Sequence, residues 1–516
     1  MKRTLITLAA LLLLTGAAHG QKLTSVCWEK LNAVPAPLKQ IGKVEVVRHN
    51  GEGHSLWSVG CETVDRDFTV FSEYKDWIGG TGAGYARMQS GWAKTEKVRG
   101  VYDFAWIDEM VDGVLAQGVC PWISLGYANP IYANGEVDLN AAIFDDEDTM
   151  QGWLNYVREV VTRYKGKVTM YEILNEPNGG KDPEKARKYA NHFIRTAELI
   201  RKHDPQVGIA GLALAGTHTN FTRNVLEDIQ AAGKLHLMDY ATFHPYEKDP
   251  DVTVDSIKVL TGLIHSYSKD IKMLQGENGC PACLQYAFAL SKYEWTEYSQ
   301  AKWYLRRMAT DFRLGIPSNI FTMGDVKYRH TVNYKGLLHT NLNGEVVWAR
   351  PAYYAVSHMA SLLTPQMKAD GELAYKTPSK KSLSVLAVSK DGRRVGVLVW
   401  QKGEIPSDSI SQEKLDLTVS GLALKDPVWV EPVTGRICEL EKWSVKGGSM
   451  TFKGLPVLIV RSLSWKGQRS LPFPVSPGIN KTLSDEAYFH NSVWSLVSVR
   501  PCCSADTGRF FTSYRR

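Results

Sequence analysis

Eight short apolar runs recur through this 516-residue chain before residue 325, and most are followed by a stretch with helical periodicity. The runs cover residues 56–60, 84–89, 119–126, 168–175, 207–214, 237–244, 271–277 and 319–324. Near-continuous apolar character belongs to parallel strands covered on both faces, not to half-exposed antiparallel ones. Between them Phe104, Ile107, Val111, Val114 and Leu115 form a stripe at helical spacing, closed by Gly118. Residues 148–164, 182–203, 222–232, 254–268 and 295–313 repeat the pattern, and 350–363 can serve as the last helix. Strand and helix alternating eight times predict an α/β fold, a (β/α)8 TIM barrel over residues 28–364.

From about residue 366 the pattern changes. Short strands at 382–388 and 395–400 flank Asp391-Gly392, a hairpin signal. Further β runs follow at 415–419, 427–430, 436–440, 449–452 and 457–462. They predict a C-terminal antiparallel β-sandwich over residues 366–466, as an accessory domain that packs on the barrel. Residues 43–48 alternate and are expected to add a strand to it. Residues 467–516 lack sustained periodicity and are expected to form a poorly ordered tail.

The N-terminus reads as a cleaved signal peptide, residues 1–20: Lys2 and Arg3, an apolar stretch over 5–18, then Ala18-His19-Gly20. That stretch is too short for a membrane span, so the expected location is secreted or periplasmic. The net charge of +7 comes from Lys and Arg scattered among Asp and Glu, which argues against a nucleic-acid partner. Eight Cys in a chain of this length are no disulfide scaffold. Cys280-Pro281-Ala282-Cys283 lacks a second such pair, so a local disulfide or two free thiols is favoured over a redox or metal motif.

Two acids carry the chemistry. Glu176, in Leu174-Asn175-Glu176-Pro177, ends the fourth run, and Glu277, in Leu274-Gln275-Gly276-Glu277, ends the seventh. Catalytic groups of a barrel stand at the C-terminal ends of its strands, so both should face one cleft. Two facing carboxyls about 5 Å apart, one nucleophile and one acid/base, cleave glycosidic bonds with retention. No cofactor or metal is needed for that chemistry.

The Asn-Glu-Pro after the fourth strand and the Glu after the seventh resemble the marks of clan A glycoside hydrolases, retaining (β/α)8 enzymes. The barrel-then-sandwich order resembles family 39, the β-xylosidase and α-L-iduronidase group. So do Arg87-Met88-Gln89-Ser90-Gly91-Trp92 and, more loosely, Tyr334-Lys335-Gly336-Leu337-Leu338. The resemblance implies Glu176 as acid/base and Glu277 as nucleophile, with Arg87 beside it; the nearby ionised carboxylate is expected to raise the Glu176 pKa so that it keeps its proton. It implies that Asn175 contacts the sugar 2-OH and that His244 and Tyr246 orient the nucleophile and bind sugar. Trp92 and Trp122 are candidate stacking surfaces. Many clan members have a Trp platform after the eighth strand; here Phe321-Thr322-Met323-Gly324-Asp325 has none, and Asp325 is a candidate hydroxyl contact. An oligo- or polysaccharide is the implied partner. The competing readings are a catalytically inactive carbohydrate-binding protein on the same scaffold, which loss of either Glu would favour, and a transglycosylase sharing the same residues. Sugar, linkage and oligomeric state are left open.

Overall fold

The computed structural model describes residues 24–51, 55–132, 146–180, 182–409, 414–456 and the strand Val460–Trp465. The expected signal peptide (1–20) and tail (467–516) lie outside the described residues.

The eight apolar runs form one closed barrel of parallel strands. They are β1 (Trp57–Gly60), β2 (Tyr85–Gln89), β3 (Cys120–Leu125), β4 (Met170–Ile173), β5 (Gly208–Ala215), β6 (Tyr240–His244), β7 (Lys272–Asn278) and β8 (Ser318–Ile320). Parallel neighbours need a crossover between them. Helices Ala105–Ala116, Glu147–Arg163, Lys185–His203, Thr219–Ala231, Val254–Tyr267 and Glu297–Leu314 supply six of these connections. The β1–β2 connection instead uses the short helix Phe71–Tyr74 and the 3-10 segment Lys75–Thr81.

Period-two alternation sorts each strand between the barrel interior and the helical shell. On β6, Ala241 and Phe243 join the outer core while Tyr240 turns inward. On β4, Tyr171 and Ile173 face the helices and Met170 faces in. Trp122, Met170, Ala210, Tyr240 and Leu274 make an apolar floor inside the barrel. Burying each of the larger side chains there contributes about 1.5–3 kcal/mol relative to exposure. The polar residues of the next layers stand on that floor.

Strand β8 is shorter than the expected 319–324. After Ile320 the backbone leaves the ladder: Phe321 N–H donates to Asn278 O at 2.7 Å and Met323 N–H to Gly60 O at 2.9 Å. The N-terminal strand is also displaced, to Gln40–Lys43, where it pairs antiparallel with Arg436–Glu439. Past Val44 the chain turns onto the barrel instead, and Val47 N–H donates to Ser361 Oγ at 3.0 Å.

With Gln40–Lys43 the C-terminal strands form a seven-stranded antiparallel sheet, and by themselves a four-stranded one. The larger sheet is apolar on both faces. Leu383, Val385, Val397 and Val399 pack with Leu417, Met450 and Phe452 of the smaller sheet, while Leu386, Leu398 and Trp400 join the barrel's core. This docking buries nearly every residue of helix Glu297–Leu314, including Lys302, Arg306 and Arg307. Among the described residues no helix is long and apolar enough to cross a membrane.

Candidate active site

Both candidate acids are aimed by departures from regular strand geometry. Leu174 and Glu176 have left-handed φ values of 64° and 50°, conformations that cost a non-glycine residue on the order of 1–3 kcal/mol each. The turn is pinned by neighbours. Leu174 N–H donates to Leu125 O at 3.0 Å and Glu176 N–H to Ala213 O at 2.9 Å. Ala213 lies where the β5–β6 register is irregular, between Gly211 and Leu214. Leu212 N–H in that stretch donates to Tyr189 Oη at 2.7 Å. Asn178 clamps the far end, accepting from Ala215 N–H at 2.9 Å and donating to Ala215 O at 3.1 Å.

On β7, strict alternation after inward-facing Leu274 and Gly276 would turn Glu277 outward. A register irregularity between Gln275 and Asn278 returns it to the mouth of the barrel. Gly276 keeps this spot uncrowded: a Cβ there would lie 3.1 Å from Thr242 Cβ, 3.3 Å from His244 Nε2 and 3.4 Å from Glu172 Oε1, so those neighbours would have to give way.

Arg87 of β2 is the hub. Its Nε and Nη2 donate to Glu172 Oε2 at 2.9 and 2.6 Å, and Nη2 also donates to Asn175 Oδ1 at 2.7 Å. Nη1 donates to Glu62 Oε1 and to Glu277 Oε2, each at 3.0 Å. The five guanidinium N–H groups thus meet five contacts. Its face lies 5.7 Å from the Trp122 ring. Burial alone would lower the Arg87 pKa, but Glu172, Glu62 and Glu277 raise it well above its ordinary value. The other Glu277 oxygen, Oε1, accepts from Tyr246 Oη at 2.9 Å. Glu172 Oε1 accepts from Thr242 Oγ1 at 2.6 Å.

Glu176 faces this group from β4. A carboxylate oxygen of Glu176, one of Glu277 and a ring nitrogen of His244 all lie within 4.8 Å of one another. Three such atoms are also near enough to share a cation. His244 Nδ1 stands 3.0 Å from Glu176 Oε1. Glu176 does not titrate as the sequence suggested. Burial raises its pKa, but the hydrogen bond and charge of His244, with Arg87 and Lys335, bring the net shift below the ordinary carboxylate value. Burial lowers His244, while Glu277 and Glu176 more than offset that and raise it.

A family model described as glycosyl hydrolases family 39 matches residues 87–268. The chain resembles the family 39 glycoside hydrolases of clan A. The matched stretch opens on Arg87 and contains Asn175, Glu176, His244 and Tyr246, but stops before Glu277. A beta-xylosidase of Geobacillus stearothermophilus is 24% identical over 158 residues, 28% of this chain and 31% of that relative. The match therefore spans about a third of that relative's length. A family 39 glycoside hydrolase from Bacteroides cellulosilyticus WH2 has the same fold, with a TM-score of 0.60 and 20% identity over 82% of each chain. A monomeric beta-xylosidase from Caulobacter crescentus CB15 aligns at 0.52 and 16% identity, over 83% of this chain and 98% of its own.

Of the residues the family 39 resemblance or the sequence singled out, Arg87, Asn175, Glu176, His244, Tyr246 and Glu277 come together. Asn175 has its Oδ1 engaged by Arg87, which leaves Nδ2 for a ligand. Three others do not belong to the cleft surface. Trp92 is fully buried, packs on Tyr132, Trp153 and Tyr156, and donates to Glu96 Oε2 at 2.5 Å. Trp122 belongs to the floor beneath Arg87. Asp325 is 1% exposed and is consumed by an ion pair with Arg350, at 2.6 and 2.8 Å, and by Gly336 N–H at 3.1 Å. Trp92 lies just past a strand and Trp122 inside one, and an aromatic at either place can serve packing or recognition, so position in sequence could not separate the two.

Glu62, Glu172, Thr242 and Lys335 were missed. Glu62 follows the β1 run by two residues, the same kind of strand-end position as the other acids. Glu172 is a charge inside a buried strand, itself a signal. Lys335 Nζ lies 4.1 Å from the Tyr246 ring centroid; burial pulls its pKa down to about 8, against the raising effect of Glu277, Cys280 and Glu176. Cys280 and Cys283 are free thiols.

Proposed function

We propose that this protein is a retaining glycoside hydrolase acting on an oligo- or polysaccharide, with Glu277 as nucleophile and Glu176 as acid/base. The observation that carries the reading is the approach of the two carboxylates to within 4.8 Å at one barrel mouth, near the roughly 5 Å of retaining enzymes and short of the 6.5–9.5 Å of inverting ones. The substrate class that the named relatives suggest for a first assay is a β-xyloside. Residues 1–20 would export the enzyme.

In the first step Glu277 attacks the anomeric carbon. Tyr246 and Arg87 each hold one of its oxygens, which orients the carboxylate for in-line approach. The leaving oxygen takes a proton from Glu176. His244 Nδ1, 3.0 Å away, favours the ionised form of Glu176, so the acid acts from the fraction of Glu176 that carries its proton. In the second step Glu176 removes a proton from water, which attacks the same carbon, and the ester to Glu277 breaks. Asn175 Nδ2 and Lys335 Nζ stand beside this centre as donors to sugar hydroxyls.

The test is a panel of aryl glycosides, beginning with the β-xyloside, on the parent and the Glu277→Ala and Glu176→Ala variants. Glu277→Ala should lose at least about a thousandfold in kcat, and Glu176→Ala about 10²–10⁴-fold, least for the best leaving groups. Azide should restore turnover, giving an inverted glycosyl azide with the first variant and a retained one with the second. Wild-type rates for Glu277→Ala on a substrate the parent cleaves would remove the nucleophile assignment.

A further inference from the structure

Glu62 is not used by the reaction as described, yet it is built into the site. It is fully buried, and its Oε1 accepts from the same Arg87 nitrogen, Nη1, that donates to Glu277; both distances are 3.0 Å. Its Oε2 accepts from Thr322 Oγ1 at 3.2 Å. We propose that Glu62 is a positioning residue: by sharing Nη1 of Arg87 it sets how much of the guanidinium charge reaches Glu277. The inference rests on Glu277 being the nucleophile.

Arg87 has no donor to spare. Glu172 takes Nε and part of Nη2, Asn175 takes the rest of Nη2, and Glu62 and Glu277 divide Nη1. A charge gained or lost on Glu62 therefore alters what Arg87 offers to Glu277, and because Glu62 and Arg87 are both fully buried their interaction is little screened. The titratable groups facing Glu62 are Arg87 and, beyond it, Glu277, with Cys61, Tyr74 and Tyr328 around them. Burial and the Glu277 charge push the Glu62 carboxyl up to about 7, with Arg87 opposing. As pH falls through about 7 Glu62 therefore takes up a proton and loosens its hold on Arg87 Nη1, which leaves more of that charge to Glu277.

The experiment compares the parent with Glu62→Gln, which keeps an acceptor for Arg87 and drops the charge. Mass spectrometry after trapping with a 2-deoxy-2-fluoro-β-xyloside, or the matching fluoroglycoside of the sugar found in the panel, reads which residue is labelled. Label elsewhere than Glu277 in the parent overturns the parent reading and this proposal with it. With Glu277 labelled, the limb of kcat/KM that follows the Glu62 proton at about pH 7 in the parent should be absent from Glu62→Gln. A rate that falls equally at all pH values, with the limb in place, would make Glu62 merely structural and overturn the proposal. If Glu62→Gln does not fold, Glu62→Asp retains the charge and should keep the parent limb. A shifted limb in that variant, or failure of both to fold, overturns it equally.

Discussion

His244 Nδ1 lies 3.0 Å from Glu176 Oε1, and with Arg87 and Lys335 this contact outweighs burial in deciding how Glu176 titrates. A protonated imidazole favours the ionised carboxylate; without it, burial favours the neutral acid. The His244→Gln variant should therefore ionise Glu176 at higher pH. The basic limb of kcat/KM is expected to move upward by about one unit, read from initial rates on an aryl glycoside. A limb that stays in place or moves down would separate His244 from the acid/base.

Among the described residues Arg87 is the cation bonded to Glu62 and Glu172. Glu62 and Glu172 are fully buried, and each has its ion pair with Arg87. Arg87→Met should lose about 3–5 kcal/mol in chemical denaturation because it strands buried charge. Arg87→Lys should lose less, since it keeps the charge but supplies three donors where five are used.

Trp92 is a packing residue. Trp92→Ala should cost about 3–5 kcal/mol of stability and leave KM for a small aryl glycoside within about twofold in folded protein. A large KM rise with an unchanged melting temperature would restore the stacking role.

His358 joins the barrel to the sandwich, with Nδ1 2.8 Å from Pro432 O. A Cβ on Gly435 would lie 2.6 Å from its Nε2, so the ring packs directly against the glycine and a side chain there would displace it. Burial lowers its pKa from 6.5 to about 4. The unfolded chain therefore takes up this proton first as pH falls. The stability His358 provides is fully present above about 6.5 and is lost on descending to about 4, a change of roughly 3 kcal/mol. Denaturant midpoints at pH 7 and pH 4 should show this loss, and His358→Gln should flatten that part of the profile.

Much of the barrel was legible in sequence because its cause is local. A strand covered on both faces must be apolar throughout, and each of the eight runs coincides with a barrel strand. Boundaries failed where tertiary bonds replaced the ladder, as at Phe321 and Met323, or drew the chain off a sheet, as at Val47. Trp92, Trp122 and Asp325 were misplaced because an aromatic or acid in or just past a strand looks the same whether it faces a cleft, a floor or an arginine. Glu62 and Glu172 were overlooked because their partner, Arg87, is remote in sequence.

The sequence by itself determined which residue types stand at the ends of β4 and β7, since strand periodicity and the residues that end a run are properties of neighbouring positions. Only the tertiary structure decided that one guanidinium would serve Glu62, Glu172, Asn175 and Glu277 together, and that His244 would set the charge of Glu176. Those relations join different strands of a closed barrel, and electrostatic energies depend on distances and burial that exist only once the ring of strands has closed.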